Sequence, residues 1–325
     1  NTNTETGSKM IEEVNNSSTD TENDLSLQVI SAISEKDTTK LNTLSENNKE
    51  QIDTLTQSAV KNAGSSQESA DLIAKVVANA SDDFANQIIS EVTKNSTDEN
   101  QALSAKVMKS IVETNPDKIE NLNDENKDNL ISQTIEAAKN QAEGTSSDEL
   151  DLSNTIAEIV TNSDTGTAAK VLESLEEASN DSDSKLSLSV VSNLTKQENY
   201  EEKMEILSVT SSVVDQSINT LIEKAVENAS SEEDLELVTD IVENSKGSLG
   251  DKIVNSANKS EESKKKITEI IVKVVEKNPE KAVQIIEKNK NTNAVLETVK
   301  SKIEKGEAVS TDDFEEVFKT NVSPN

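Results

Sequence analysis

The stretch LSLQVISAISEKDTTKLNTLSENNKEQIDTLTQSAVKN, residues Leu25–Asn62, decides the fold class of this chain. It aligns without gaps on residues Leu103–Asn140, LSAKVMKSIVETNPDKIENLNDENKDNLISQTIEAAKN, at an offset of 78 residues. A third copy begins at Leu186, and a fourth, more diverged copy begins near Lys266. Recurrence at a nearly constant interval is the sequence signature of a repeat architecture. We therefore interpret most of the chain as an array of repeats.

A shorter period lies inside this one. The pattern LIAKVVANASDDFANQII from Leu72 returns as TIAEIVTNSDTGTAAKVL from Thr155 and as LVTDIVENSKGSLGDKIV from Leu237. The predicted turn residues of successive units are about 40 residues apart, at Asp37, Asn79, Asn115, Asn162, Asn199, Asn244 and Asn278. The unit is therefore a helical hairpin of roughly 40 residues, and two unlike hairpins make a super-repeat of about 80.

The apolar residues follow helical periodicity. Ile267, Ile270, Ile271, Val274 and Val275 stand at i, i+3, i+4, i+7 and i+8, which puts them on one face of a helix. Such a narrow stripe is not buried within one hairpin, so each hairpin has to stack on the next. The prediction is an all-α fold, an α-solenoid of about seven hairpins. The expected core residues are Ile111, Val112, Ile159, Ile241, Ile270 and Val274.

Two of the turns carry a helix-start signal. Asn115-Pro116 and Asn278-Pro279 each place an amide side chain before a proline. Asparagine is a favoured N-cap residue, and proline is tolerated at the first helical position because its missing N–H would be unpaired there. We expect Asn115 and Asn278 to cap the helices that follow them.

The two ends of the chain differ from the array. Residues 1–23 are polar and almost without apolar side chains, and we expect them to be disordered. Residues 24–306 form the predicted array, and residues 307–325 form a last short helix and a tail. Phe314 and Phe318 stand at i and i+4 in that helix. They are interpreted either as an end cap over the open array or as a docking motif for a partner.

Composition speaks against catalysis. The chain contains no His, Cys, Trp or Arg, and its aromatic residues are Tyr200, Phe84, Phe314 and Phe318. The usual nucleophile–base pairs depend on His or Cys, and a carboxylate pair needs a cleft that so few aromatic side chains do not line. We expect that the protein is not an enzyme and binds no cofactor.

Charge limits the partners. The chain carries 63 acidic against 32 basic residues, and phosphate recognition needs a basic face, so nucleic acid is excluded as an expected partner. No apolar run reaches the roughly 18 residues of a membrane span.

The run Asn180–Ser184 resembles the start of a calcium loop, but Lys185 and the missing acid at the loop's end break the pattern. Weak, diffuse binding of divalent cations is the expectation, with no built metal site.

The charge is distributed unevenly. The segment Lys246–Gly306 carries 14 Lys against 9 acidic residues, whereas the chain before it is strongly acidic. A basic end segment that meets the acidic body of a second copy would favour linear self-association. Lys264, Lys265 and Lys266 are three consecutive basic residues just before an apolar helix, and they are the candidate self-association residues. The alternative explanation is an ordinary solvated surface.

Hairpins such as VVEKNPEKAVQIIEKN resemble the degenerate two-helix repeats of HEAT-like solenoids and of long repetitive regions in bacterial surface and secreted proteins. The resemblance implies a structural role as a spacer, coat or filament-forming segment, located outside the cell or at its surface. The alternative is a scaffold that binds a peptide or helix of another protein, and a cytoplasmic location remains open. Binding faces are usually anchored by Tyr, Trp and Arg, and this chain has one Tyr, which favours the structural role.

Overall fold

Helices are the only regular secondary structure among the residues that the computed structural model describes. The described residues are 9, 13, 25–36, 39, 42–43, 60, 66–94, 97–144, 150–178, 184–210, 216–218, 220–221, 231–244, 269–270, 272–288 and 294–310. The all-α prediction is confirmed. The segment 1–23, predicted to be disordered, lies outside the described residues apart from Lys9 and Glu13. The same holds for residues 311–325 of the predicted capping helix and tail.

The helices of the described residues are numbered here in chain order. Their bounds are α1 Leu25–Lys36, α2 Gln67–Asn79, α3 Asp82–Val92, α4 Asp98–Thr114, α5 Asp117–Glu120, α6 Asp124–Ala142, α7 Leu152–Asn162, α8 Thr165–Ala178, α9 Ser184–Lys196, α10 Tyr200–Thr210, α11 Glu232–Asn244, α12 Pro279–Lys288 and α13 Ala294–Lys305. Residues 272–277 are also helical. Gly144 and Gly306, just after α6 and α13, have φ values of 72° and 68°, the left-handed conformation in which glycine commonly ends a helix.

The predicted turn residues lie at or next to helix ends. Asn79, Asn162 and Asn244 are the last residues of α2, α7 and α11. Asn115, Asn199 and Asn278 lie between helices. Asp37 is outside the described residues. The turn predictions are confirmed at these six positions. A polar residue that follows an apolar run ends a helix through contacts with its immediate neighbours, so the sequence alone is enough to locate it.

Side-chain caps begin many of the helices. Ser66, Asn123 and Asp151 each accept a hydrogen bond from the backbone N–H three residues later, at 3.1, 2.8 and 3.0 Å. Asn278 does the same, with the Lys281 N–H at 3.1 Å from its Oδ1, so the predicted cap there is confirmed. Each such cap satisfies one of the free N–H groups of a helix start.

The predicted cap at Asn115 is wrong. The Asn115 N–H still donates to the Ile111 carbonyl at 2.8 Å, so this residue continues the hydrogen bonding of α4. The helix after it, α5, has Pro116 at its N-cap position, has no side-chain cap and is one turn long. The long second helix of this hairpin begins only at α6, where Asn123 is the cap. The short α5 places Ile119 in the core, where it is fully buried.

The chain divides into two compact units, Asn1–Ala178 and Ser179–Asn325. In the first unit, α1 packs on α2, α2 on α4, and α4 on α7. The second helices of these hairpins also meet in order, α3 on α6 and α6 on α8. In the second unit, α9 packs on α11 and on α10, and α12 packs on α13.

The core consists of branched aliphatic side chains and alanine. Each residue of the predicted core set, Ile111, Val112, Ile159, Ile241, Ile270 and Val274, is buried. The prediction of these six core residues is therefore confirmed. Within the described residues, no helix is long and apolar enough to cross a membrane.

Candidate functional site

The site residues predicted from the sequence lie outside the described residues. This applies to Lys264, Lys265 and Lys266 of the basic segment, and to Phe314 and Phe318 near the C-terminus. Their roles in self-association, end capping or docking stay predictions. The described residues instead show a set of polar contacts between helices that lie far apart in the sequence.

These contacts have a common sequence separation. The residues that they join are 36 to 49 positions apart, close to the predicted period of roughly 40 residues. In the first unit they connect α2 with α4, α3 with α6, α4 with α7, and α6 with α8. Side chains about one predicted repeat apart therefore meet where these helices pack together.

One group of contacts occupies two equivalent positions of the repeat. The fourth residue of the segments that begin at Leu72, Thr155 and Leu237 is charged, and it is Lys75, Glu158 or Asp240. The eleventh residue of the segments that begin at Leu25, Leu103, Leu186 and Ile267 is charged as well, and it is Glu35, Glu113, Lys196 or Lys277. We call these two sets the pairing positions.

Oppositely charged residues meet at the pairing positions. The Lys75 Nζ lies 3.3 Å from a Glu35 carboxylate oxygen, and both side chains are about half exposed, at 49% and 51%. Asp240 lies between two lysines from the helices on either side of it, with Lys196 at 3.5 Å and Lys277 at 3.1 Å. The hydrogen bond with Asp240 holds the pKa of Lys277 above its ordinary value.

The junction between α4 and α7 has acids at both pairing positions, Glu113 and Glu158. Lys109, one turn before Glu113, bridges the two: its Nζ donates to Glu113 at 2.7 Å and also to Glu158. The Asn154 amide donates a further hydrogen bond to Glu158 at 2.8 Å. The Lys109 side chain is only 17% exposed. Its partial burial lowers its pKa, but the hydrogen bonds to Glu113 and Glu158 outweigh that effect, and the pKa lies above its ordinary value.

A second group of contacts joins the turns and the second helices. The Lys118 Nζ donates to the Ala80 carbonyl at the end of α2, at 2.7 Å, and pairs with Asp82 at 3.1 Å. Lys170 of α8 pairs with Asp128 of α6 at 2.6 Å, and this hydrogen bond raises the lysine's pKa. Lysine near a helix C-terminus is favourable because the last carbonyls carry partial negative charge.

Amide side chains make the most buried of these contacts. The Gln133 amide donates to the Thr93 carbonyl at the end of α3, at 2.8 Å, and its oxygen accepts the Ser104 hydroxyl of α4 at 2.6 Å. Asn126 donates to the backbone and side-chain oxygens of Asn86 at 2.8 and 2.9 Å. A buried polar group is expensive unless it is paired, so these contacts select one arrangement of the helices.

One backbone contact recurs from hairpin to hairpin. The Ser81 N–H donates to the Asn42 side chain at 2.9 Å, and the Asn123 N–H donates to the Asn86 side chain at 2.8 Å. Ser81 and Asn123 are both N-cap residues, of α3 and α6. An asparagine of one hairpin thus fixes the helix start of the next.

The arrangement is suited to holding helices together. In the part of the chain that the structure describes, no group of three or more acidic side chains is placed to hold a metal ion. Ion pairs such as Glu35–Lys75, Lys109–Glu158 and Lys196–Asp240 each join two different helices.

Comparison of the chain with protein-family models, with curated proteins and with solved structures finds no match.

The pairing positions were not predicted from the sequence, although a signal for them is present. In the aligned segments from Leu72, Thr155 and Leu237 the fourth residue is charged, although a small residue, Ala or Thr, precedes it and a branched aliphatic residue follows it. The alignment does not show which residue this charge pairs with, because that depends on which helix packs next to it.

Proposed function

We propose that this chain is a non-catalytic structural protein whose hairpins stack as an α-solenoid of about seven units. We further propose that it serves as a spacer, coat or filament-forming segment of a bacterial surface or secreted protein. The observation that carries the proposal is the common separation of the inter-hairpin contacts, one repeat length from partner to partner. Contacts restricted to nearest-neighbour repeats are what a solenoid requires.

The surface chemistry supports the structural role. Strong net negative charge keeps extended proteins soluble and separates parallel copies by repulsion. The absence of His and Cys from the whole chain removes the common catalytic bases and nucleophiles, and supports the proposal that the protein is not an enzyme. The contacts described above join helix to helix, and each needs only the chain itself.

Self-association is the mode of action that the charge distribution favours. The basic segment Lys246–Gly306 of one copy would meet the acidic body of another, and such a head-to-tail contact propagates without closing. Surface ion pairs are individually weak and are screened over a Debye length of about 8 Å at physiological ionic strength. Assembly by this route therefore fades as salt rises.

The test is light scattering with electron microscopy of the purified chain across a salt series. We expect elongated assemblies at low salt that dissolve as salt increases. Replacing Lys264, Lys265 and Lys266 by Glu should weaken assembly more than the matched triple change of Lys36, Lys94 and Lys139, which lie outside the basic segment and alter the net charge equally. Assemblies that persist or grow with salt would mean apolar end-to-end contacts. A chain that stays monomeric at high concentration and low salt would overturn the filament role and favour the peptide-binding scaffold.

A further inference from the structure

The sign of the charge at the pairing positions differs between segments whose apolar residues are alike, and the stability of the fold does not require this difference. The segments from Leu72, Thr155 and Leu237 have nearly interchangeable apolar faces, so any of them would fit against the first helix of several hairpins. Their pairing charges differ, however: Lys75 is basic, whereas Glu158 and Asp240 are acidic. The charge therefore distinguishes the segment from Leu72 from the other two segments, which the apolar stripe does not.

The partner helices carry the complementary differences. Glu35 of α1 attracts Lys75, its partner at 3.3 Å, but would repel Glu158 or Asp240 at the same place. Lys196 of α9 attracts Asp240 at 3.5 Å but would repel Lys75. Exchange of the segment from Leu72 with the segment from Leu237 would thus turn three attractive contacts into three repulsive ones, because Asp240 pairs with both Lys196 and Lys277.

The junction between α4 and α7 also brings opposite charges together, but with a third residue. Its two pairing positions both carry acids, Glu113 and Glu158, and left alone they would repel each other. Lys109 stands one turn before Glu113 and donates to both carboxylates. Lys109 thus provides the positive charge that the two acidic pairing positions lack.

We propose that the charges at the pairing positions form a register code, which makes each hairpin dock on its own neighbour and disfavours exchange with similar hairpins of the same chain or of a second copy. Arrays of similar repeats are prone to wrong docking and domain swapping, because a partly folded hairpin exposes the same apolar stripe as its relatives. Specificity between similar partners is commonly obtained from unfavourable charges in the wrong complex. The inference rests on the proposed hairpin array, but not on its role as a spacer or filament.

The decisive experiment reverses the first charge pair. Glu35→Lys and Lys75→Glu are made singly and together, and each chain is unfolded in urea and refolded by dilution at low salt. The unfolding midpoint measures the native pair, and size exclusion with light scattering measures the fraction recovered as monomer. Each single variant should lower the midpoint, because it creates a like-charge contact.

The double variant separates a register code from a simple ion pair. It restores the attraction between positions 35 and 75, so the unfolding midpoint should return to that of the wild type. Its second hairpin, however, now carries the same acidic charge as the fourth and the sixth, so monomer recovery should stay several-fold lower than for the wild type. High salt should remove this difference because the charges are screened.

A matched control reverses a charge pair between two residues that are close in the sequence, at the end of α3. Lys94 and Glu91 form an i, i+3 pair at 3.1 Å, and the double change Glu91→Lys with Lys94→Glu should alter neither the midpoint nor the recovery. If the Glu35–Lys75 double variant recovers as monomer like the wild type, the register code is wrong while the hairpin array stands. If the single variants leave the midpoint unchanged, the Glu35–Lys75 contact adds no attraction and the register code is wrong, while the hairpin array, which rests on the packing of the helices, stands.

Discussion

At the scale of single residues, burial of Ile270 is the feature that most directly tests the core. Its side chain is 2% exposed, while Ile206 in the same unit is 49% exposed. Replacing Ile270 by Ala should lower the free energy of unfolding by about 2–4 kcal/mol, because it removes buried methyl groups and leaves a cavity. Urea unfolding measures this cost. The matched change Ile206→Ala should cost less than about 0.5 kcal/mol, and equal costs would mean that the apolar stripe is misassigned.

Asp164 is the residue whose ionisation is most closely tied to local structure. Partial burial raises its pKa, but the hydrogen bonds from the Thr167 hydroxyl, the Thr167 N–H and the Gly166 N–H outweigh this, so the pKa lies below its ordinary value. The ionised carboxylate therefore stabilises the folded state. Its contribution is complete above the unfolded pKa of about 3.9 and is lost as the pH falls through the lower folded pKa.

Asp164→Asn tests this, because asparagine keeps an N-cap acceptor but does not titrate. The wild type should be more stable than the variant at neutral pH, and the difference should shrink as the pH falls below about 4. Urea unfolding at a series of pH values measures both. A difference that is the same at every pH would contradict the role of the charge.

At the scale of the helices, Gln133 joins three of them. From α6 it donates to the Thr93 carbonyl, just after α3, and accepts from the Ser104 hydroxyl of α4. Gln133→Leu leaves the Thr93 carbonyl and the Ser104 hydroxyl without this partner, which should cost about 1–3 kcal/mol. Adding Ser104→Ala should recover part of the loss, because the hydroxyl is then no longer buried without its acceptor. Ser132→Ala on the exposed side of α6 is the control for denaturation measurements.

At the scale of the whole molecule, stability should be carried by nearest neighbours. Ile111 lies in α4, which packs on α2, α6 and α7. Ile111→Ala should therefore reduce amide hydrogen-exchange protection in α4 and in these three helices, with a smaller loss in α1, which contacts α2. Exchange followed by mass spectrometry measures the loss helix by helix. A uniform loss over all described helices would show a single cooperative core instead of a chain of junctions.

Helices, turns and core were predicted from the sequence because each is a local property. The apolar stripe of Ile270 and Val274 requires only helical periodicity, and both residues are buried. The cap at Asn278 requires only the residues that follow it. The failed cap at Asn115 marks the limit of such reasoning, since α4 extends its hydrogen bonding over that residue and the next long helix starts at Asn123.

The sequence by itself determined that this chain is helical, where its hairpins turn and which residues form its stripes. Only the tertiary structure decided which charges pair, that Lys109 bridges two carboxylates, and that Gln133 is buried between three helices. The physical reason is distance along the chain. A helix is specified by residues within four positions of one another, whereas a junction brings together residues about 40 positions apart. Among many similar repeats, only packing selects which of them meet.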